Sequence, residues 1–91
     1  MEYEVIFHDK VFEDDLPRLP KEGTGQITRV IDGRLTTSPL QIGKPLSGNL
    51  KGFRRVRVGD FRIVYKVAGN KVIVVIVDFR KTVYKRVLPR I

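Results

Sequence analysis

Guanidinium groups are concentrated in one short stretch, "FRRVRVGDFRIVY" at residues 53–65, which holds four arginines. The stretch alternates on both sides of a glycine turn, which is typical of two strands joined as a hairpin. In such a strand Arg55 and Arg57 point to the same face of the sheet. Arg62 reaches that face too if the hairpin register places it near Arg57.

A cluster of like charges costs stability, because each guanidinium group repels its neighbours. The cluster makes physical sense if an anion such as a phosphate fills the space between the side chains. The alternative is that the three arginines are separately solvated and bind nothing. Val56 and Val58 alternate with them and are expected to face the core.

The charge of the chain is unevenly distributed along its 91 residues, which carry a net charge of +8. Residues 1–43 hold five Lys/Arg and eight Asp/Glu, a balance of −3. Residues 44–91 hold thirteen Lys/Arg and two Asp/Glu, a balance of +11. The second half therefore favours a polyanionic partner such as nucleic acid, although a basic surface that only aids solubility is the alternative.

The composition excludes several kinds of site. There is no cysteine, so disulfides, thiolate zinc sites and thiol nucleophiles are impossible, and a reducing cytoplasm fits. The longest apolar run, Val72–Val77, is too short to span a bilayer, and no signal peptide is expected at the N-terminus. The length and the 42% hydrophobic content indicate one folded domain over residues 1–91.

The first half of the chain predicts one strand and two helices. "EYEVIF" alternates as a strand, and His8 with Asp9 can cap a helix that begins near Asp9. Pro17 should end or kink that helix, and Pro20 could open the next one at its first position. Apolar residues at helical spacing continue the second helix to Leu35, and a loop is expected over residues 40–52.

The second half predicts three antiparallel strands. The hairpin of residues 53–67 is followed by Val72–Val77, whose β-branched residues suit a central strand buried on both faces. "DFRK" is expected to connect this strand to residues 82–88, which form either a short closing helix or an extra strand. The predicted fold is α+β in the order β-α-α-β-β-β, with a twisted, mainly antiparallel sheet and two helices packed on one face.

Two segments, "KPLSGNLKGFRRVRVGDFRIVYKV" and "VIVVIVDFRKTVYKRV", resemble the RelE toxin family within the RelE/ParE superfamily. The shared features are the Leu-x-Gly loop, the Arg-bearing strand, the Gly-Asp-Phe-Arg turn, the long Val/Ile strand and the closing Arg…Val-Tyr. The resemblance implies a toxin of a toxin–antitoxin pair that cleaves messenger RNA in the ribosomal A site without a metal or other cofactor. An antitoxin protein, messenger RNA and ribosomal RNA would be its partners, and the free toxin would be a monomer that joins the antitoxin in a hetero-oligomer.

The resemblance also implies a site. Carried over position by position, the catalytic set is Arg55, Arg57, Arg62, Arg80 and Tyr84. The family typically has lysine at one or both of the first two positions, and often histidine or lysine where this chain has Phe79. These departures keep the phosphate-binding charge but leave proton transfer by the first pair in doubt. The residues expected to bind the RNA backbone are Lys44, Lys51, Arg54, Lys81, Lys85 and Arg86, with Arg90 as a further steering charge.

RNA cleavage by its own 2′-hydroxyl needs a proton acceptor, stabilisation of the charge on phosphorus and protonation of the leaving oxygen. Two histidines cannot serve, because His8 is the only one. Asp60 and Asp78 suit a turn and a strand end, and no carboxylate cluster suggests a two-metal nuclease. Tyr84 is therefore proposed as the general base or as the group that aligns the 2′-hydroxyl, and surrounding arginines would favour its phenolate.

Two other functions stay open at this point. A ParE-like protein that inhibits DNA gyrase by binding shares the fold and performs no RNA chemistry. A basic RNA-binding or plasmid-stabilisation module without activity is the other, and the arginines at positions 55 and 57 keep it open. For Tyr84 itself the alternative is an aromatic side chain that packs on the edge of the sheet.

Overall fold

The computed structural model describes residues 2–91 and has an α+β architecture, as predicted. The strands are β1 (Glu4–Phe7), β2 (Lys44–Pro45), β3 (Arg54–Val58), β4 (Phe61–Ala68) and β5 (Lys71–Phe79). The helices are α1 (Leu16–Arg18), α2 (Lys21–Val30), α3 (Pro39–Ile42) and α4 (Val83–Val87). π-helical turns at Val11–Asp15 and Ile31–Leu35 precede α1 and follow α2, and 3-10 turns occupy Gly48–Leu50 and Leu88–Arg90.

The strands form one sheet in the order β1-β5-β4-β3-β2. β1 runs parallel to β5, and the other neighbours are antiparallel, so the prediction of a mainly antiparallel sheet is confirmed. The prediction of a central strand at Val72–Val77 is also confirmed, because β5 lies between β1 and β4. A register shift at Val64/Tyr65 in β4 interrupts the regular pairing with β5.

Helices cover one face of the sheet and form the larger core. Ile27, Ile31 and Leu35 pack there against Val56 and Val58, the two valines that alternate with the arginines of β3. Gly23 lets α2 approach the sheet closely, since a Cβ at this position would lie 2.5 Å from the ring of Phe61.

The second face of the sheet is covered as well, whereas the sequence predicted helices packed on one face only. α4 forms at the position where a closing helix or an extra strand was expected. It places Val83 and Val87 on Val64, Val75 and Ile76, and all five side chains are buried. The arginines of the hairpin therefore lie beside a helix instead of on a bare sheet.

Helical backbone begins at Asp9 as predicted, and both prolines lie within one residue of a helix boundary. Pro17 lies inside α1, which ends directly afterwards at Arg18, and Pro20 is the residue before α2 instead of its first residue. The predicted loop at residues 40–52 instead contains most of α3, the strand β2 and a 3-10 turn. Such short elements produce too little periodicity to be recognised in a sequence. None of the helices in residues 2–91 has the length and apolar character needed to cross a membrane.

Candidate active site

The β3–β4 hairpin positions the first three arginines. Its register places Arg57 directly opposite Arg62, as the sequence required for a shared face, and places Arg55 opposite Val64. Gly59 opens the turn with φ +59°, a left-handed conformation that glycine adopts without steric cost. This turn fixes the register on which the clustering of the arginines depends.

Arg62 is held by its own hairpin. Nη1 donates hydrogen bonds to the carbonyl oxygens of Gly59 at 3.1 Å and Phe61 at 2.8 Å. The residue is only 7% exposed. Both bonds use the same nitrogen, so the guanidinium is anchored at one end while the residue also lines the cavity described below.

The pKa of Arg62 depends on its burial and on the charged groups near it. Burial lowers the pKa of Arg62, and the like charge of Arg57 lowers it further. Tyr84 has the opposite effect, and Arg55 and Arg80 add smaller depressions. Arginine stays charged despite such shifts. The other four residues taken from the resemblance therefore all lie within electrostatic reach of Arg62.

Arg80 and Tyr84 come from the segment after β5. The backbone N–H of Arg80 donates to the Asp60 carbonyl oxygen at 2.9 Å, which joins this connector to the hairpin turn. Tyr84 lies on α4 and is 36% exposed. The two residues thus reach the arginine-bearing face from a different part of the chain than the hairpin does.

These side chains share an open cavity of about 440 Å³, which is lined by Arg55, Arg62, Arg80, Lys81 and Tyr84. Arg57 is not part of the lining, although its charge acts on Arg62. The lining contains four cationic groups, one phenol and no carboxylate, which suits a phosphate group with a polar hydroxyl nearby. Among residues 2–91, no three His, Asp or Glu side chains are grouped so that they could hold a metal ion.

Two residues predicted to bind the RNA backbone are used inside the protein instead. Arg54 donates through Nη2 to the carbonyl oxygens of Leu40 at 2.9 Å and Gly43 at 2.7 Å. Arg86 forms ion pairs with Asp15 and Asp78. Arg54 leaves β3 on the side of the core, away from Arg55, and Arg86 faces the buried carboxylates. The remaining predicted residues are exposed or partly exposed: Lys44, Lys51, Lys81 and Lys85.

Two buried carboxylates have no recognisable signal in the sequence, where Asp78 suits only a strand end. They are Asp15 and Asp78, both 0% exposed. Arg90, expected on the surface, binds Asp15 through Nη1 at 2.7 Å. Sequence patterns do not predict this ion pair, because 75 residues separate Asp15 from Arg90 along the chain. The prediction that His8 can cap the first helix is confirmed, since its Nδ1 accepts a hydrogen bond from the N–H of Lys10 at 3.1 Å.

Comparisons with known proteins agree with this fold. A family model described as the ParE toxin of the type II toxin–antitoxin system parDE matches residues 5–83. Toxin RelG of Mycobacterium tuberculosis is 35% identical over 74 residues, which cover 79% of this chain and 85% of the relative. Toxin RelE of the same organism is 38% identical over 53 residues, covering 58% of this chain and 55% of the relative.

Similar solved structures also come from toxin–antitoxin complexes. A chain of the toxin–antitoxin complex RelBE2 from Mycobacterium tuberculosis superposes with a TM-score of 0.81 at 30% identity, covering 88% of this chain and 100% of that one. The archaeal RelE–RelB complex from Pyrococcus horikoshii OT3 gives a TM-score of 0.68 at 26% identity, covering 88% and 97%. The class defined here is that of toxins of type II toxin–antitoxin systems. Within that class, the chain belongs to the RelE/ParE superfamily.

Proposed function

We propose that this toxin is a metal-independent endoribonuclease that cleaves messenger RNA in the ribosomal A site and so stops translation. The observation that carries the proposal is the open cavity that Tyr84 lines together with Arg55, Arg62, Arg80 and Lys81. A protein that acts only by binding has no evident need for a phenol among so many guanidinium groups. RNA supplies both groups that this cavity suits, a phosphate and a neighbouring 2′-hydroxyl.

The proposed chemistry gives each of these side chains one role. The 2′-oxygen attacks phosphorus and loses its proton to the side-chain oxygen of Tyr84, the proposed base, while the bond from phosphorus to the 5′-oxygen breaks. Arg62 and Arg57 stabilise the charge that develops on the phosphoryl oxygens, and Arg55 assists them. Arg80 faces the leaving 5′-oxygen, which takes its proton from water. The products are a 2′,3′-cyclic phosphate and a free 5′-hydroxyl.

The ribosome is proposed to hold the messenger RNA in the conformation that the reaction needs. The cavity offers strong charge but few groups that transfer protons, so cleavage depends on a substrate that is already held in the reactive geometry. Exposed lysines at positions 44, 51, 81 and 85 supply the long-range attraction to ribosomal RNA, which contributes affinity with little sequence preference. Action on ribosomes places the toxin in the cytoplasm.

An antitoxin is the proposed regulatory partner. Both solved relatives described above are complexes of a RelE-type toxin with a RelB-type antitoxin. The basic charge of residues 44–91 suits a partner that presents an acidic or amphipathic segment, and displacement of the closing segment is a second way to inactivate the cavity. The neighbouring reading frame is expected to encode a small acidic protein with a DNA-binding fold.

Inhibition of DNA gyrase is the second candidate function, because the matching family model is described as a ParE toxin. Gyrase inhibition gives no role to the arrangement of Arg62, Arg80 and Tyr84. A basic RNA-binding module without activity is the third, since arginine replaces lysine at positions 55 and 57. The three functions differ in what happens to messenger RNA and DNA in an arrested cell.

Primer extension on translating ribosomes separates them. The wild-type toxin should produce discrete breaks in ribosome-bound messenger RNA, and Arg62→Ala or Tyr84→Phe should reduce cleavage by at least ~100-fold. Arg29→Ala, an exposed arginine on α2 outside the cavity, is the matched control and should cleave normally. Unchanged toxicity in both cavity variants would refute the site, and intact messenger RNA together with DNA damage would support gyrase inhibition.

A further inference from the structure

Asp15 is a fully buried carboxylate that the proposed chemistry does not use. It lies on the π-helical turn before α1, yet its partners all come from the last strand and the segment that follows it. Oδ2 accepts hydrogen bonds from the N–H of Val77 at 3.0 Å and from Arg90 Nη1 at 2.7 Å. Oδ1 accepts from Arg86 Nη2 at 2.9 Å and from Arg90 Nη2 at 3.1 Å.

Arg86 links Asp15 to a second buried carboxylate. Its Nη1 lies 3.1 Å from Asp78 Oδ2, and the hydroxyl of Thr82 donates to the same oxygen at 2.6 Å. Arg90 also donates to the carbonyl oxygen of Val75 at 3.0 Å. The segment from residue 82 to residue 90 is thus bound through side chains at its start, its middle and its end.

α4 needs such anchors because it is short. A helix of five residues is unstable alone, and Val83 with Val87 provides only one apolar line of contact with the sheet. A single line of contact leaves the helix free to rotate about it. The ionic contacts of Arg86 lie on another side of the helix and remove that freedom, because both carboxylates are fixed in the body of the protein.

Tyr84 is the residue whose position depends on that rotation. At about 100° per residue, it leaves α4 on the side opposite Thr82 and Arg86. A small rotation of the helix would therefore move the phenol away from Arg62 and Arg80 across the cavity. A displacement of about 1 Å in a reacting group can reduce a rate on the order of 100-fold.

We propose that Asp15 is a positioning residue for the reaction: through Arg86 it fixes the rotation of α4 and so holds Tyr84 in the cavity. The proposal rests on the proposed function insofar as it concerns catalysis, but the placement of Tyr84 can be measured without any cleavage. Asp15 itself is buried and does not line the cavity, so its loss should slow the chemical step without weakening substrate binding.

The test compares Asp15→Asn with Asp14→Asn. The adjacent Asp14 has a side chain that is 49% exposed and lies 3.8 Å from Lys10, so it controls for the loss of one carboxylate charge. In Asp15→Asn we expect kcat on ribosome-bound messenger RNA to fall by 10- to 100-fold with KM unchanged. The nuclear magnetic resonance signals of the Tyr84 ring, assigned by their absence in Tyr84→Phe, should shift, whereas those of the buried Tyr65 should not.

Each outcome decides one question. Unchanged Tyr84 ring signals in a folded Asp15→Asn protein would overturn the positioning role, whatever the cleavage rate. If Tyr84→Phe cleaves as well as the wild type, the proposed function loses its base, but the ring signals still decide the role of Asp15. If Asp15→Asn does not fold, Arg86→Lys replaces it, since lysine keeps the charge but cannot join both carboxylates. Unchanged ring signals and kcat in Arg86→Lys would likewise overturn the proposal.

Discussion

Arg57 and Arg62 lie directly opposite each other in the β3–β4 hairpin, so two side chains of the same charge leave the same face of the sheet. Like charges in this position destabilise a hairpin. The burial of Arg62 and its anchoring to the turn show that the pair is built into the fold. The site therefore stores electrostatic repulsion that a bound anion would relieve.

Removal of one charge should consequently stabilise the protein while damaging the site. For Arg57→Gln we expect the free energy of unfolding to rise by about 0.2–0.5 kcal/mol and cleavage to fall. Inorganic phosphate should stabilise the wild type more than the variant, because it binds the folded state between the charges. Urea unfolding with and without phosphate measures both effects. Lys71→Gln, at the far end of β5, should show neither change.

Replacement of Arg62 by lysine tests whether charge alone suffices. Arg62 reaches two carbonyl oxygens through Nη1 and still presents a planar edge to the cavity, which an ammonium group cannot do. We expect Arg62→Lys to fold normally and to lose at least ~10-fold in kcat/KM. Arg55→Lys, in the same cavity, should lose less, since Arg55 is more exposed than the buried Arg62. Equal losses in the two variants would argue against a special role for the anchored guanidinium.

Gly23 should tolerate no side chain, because a Cβ would lie 2.5 Å from two atoms of the Phe61 ring. We expect Gly23→Ala to lower the free energy of unfolding by about 1–3 kcal/mol. Gly25→Ala in the same helix has only the Arg29 side chain nearby, at 3.9 Å, and should stabilise the protein by about 0.5–1 kcal/mol. Thermal or urea unfolding of the two variants gives the comparison, and effects of the same sign would contradict the packing.

Acid should lower the free energy of unfolding, because Asp78 then binds a proton. Burial alone would raise the pKa of Asp78, but hydrogen bonds from Thr82 and the Phe79 backbone and the charge of Arg86 hold it below its ordinary value. Because the folded protein binds this proton less readily than the unfolded chain, the stabilisation exists above the unfolded pKa of about 3.9 and is lost as the pH falls below about 4.

Unfolding midpoints measured from pH 6 to pH 2 test this dependence. Asp78→Asn should be less stable than the wild type at pH 6 and should lose less stability towards pH 2. Asp14→Asn, which removes an exposed carboxylate, should follow the wild-type curve closely. A wild-type curve no steeper than that of Asp78→Asn would show that another group controls the response to acid.

Local patterns in the sequence predicted the parts of the fold that depend on neighbours. Alternation in the hairpin placed Arg57 and Arg62 on one face, and the run Val72–Val77 identified a strand with two covered faces. The closing Arg80 and Tyr84 were assigned by resemblance, because nothing in their own spacing predicts that they meet the hairpin. The cavity brings them to Arg55 and Arg62, while their catalytic roles remain predictions.

The failures concern charged residues whose partners are distant along the chain. Arg54 and Arg86 look like surface charges in the sequence, and only the fold supplies the carbonyl oxygens and carboxylates that they bind. Asp15 stands among acidic neighbours that are exposed, so nothing local distinguishes it as the buried one. The charge pattern of a sequence predicts which kind of ligand a surface attracts, but it does not predict which charged side chains are buried.

The parallel pairing of β1 with β5 has a consequence for synthesis of the toxin. Glu4 pairs with Lys71 and Phe7 with Val74, so the first strand finds its place only after most of the chain has left the ribosome that makes it. Pairings this distant in sequence also form slowly. A nascent chain accordingly carries its arginines without Tyr84 beside them, so the cavity can form only after residue 84 has left the ribosome.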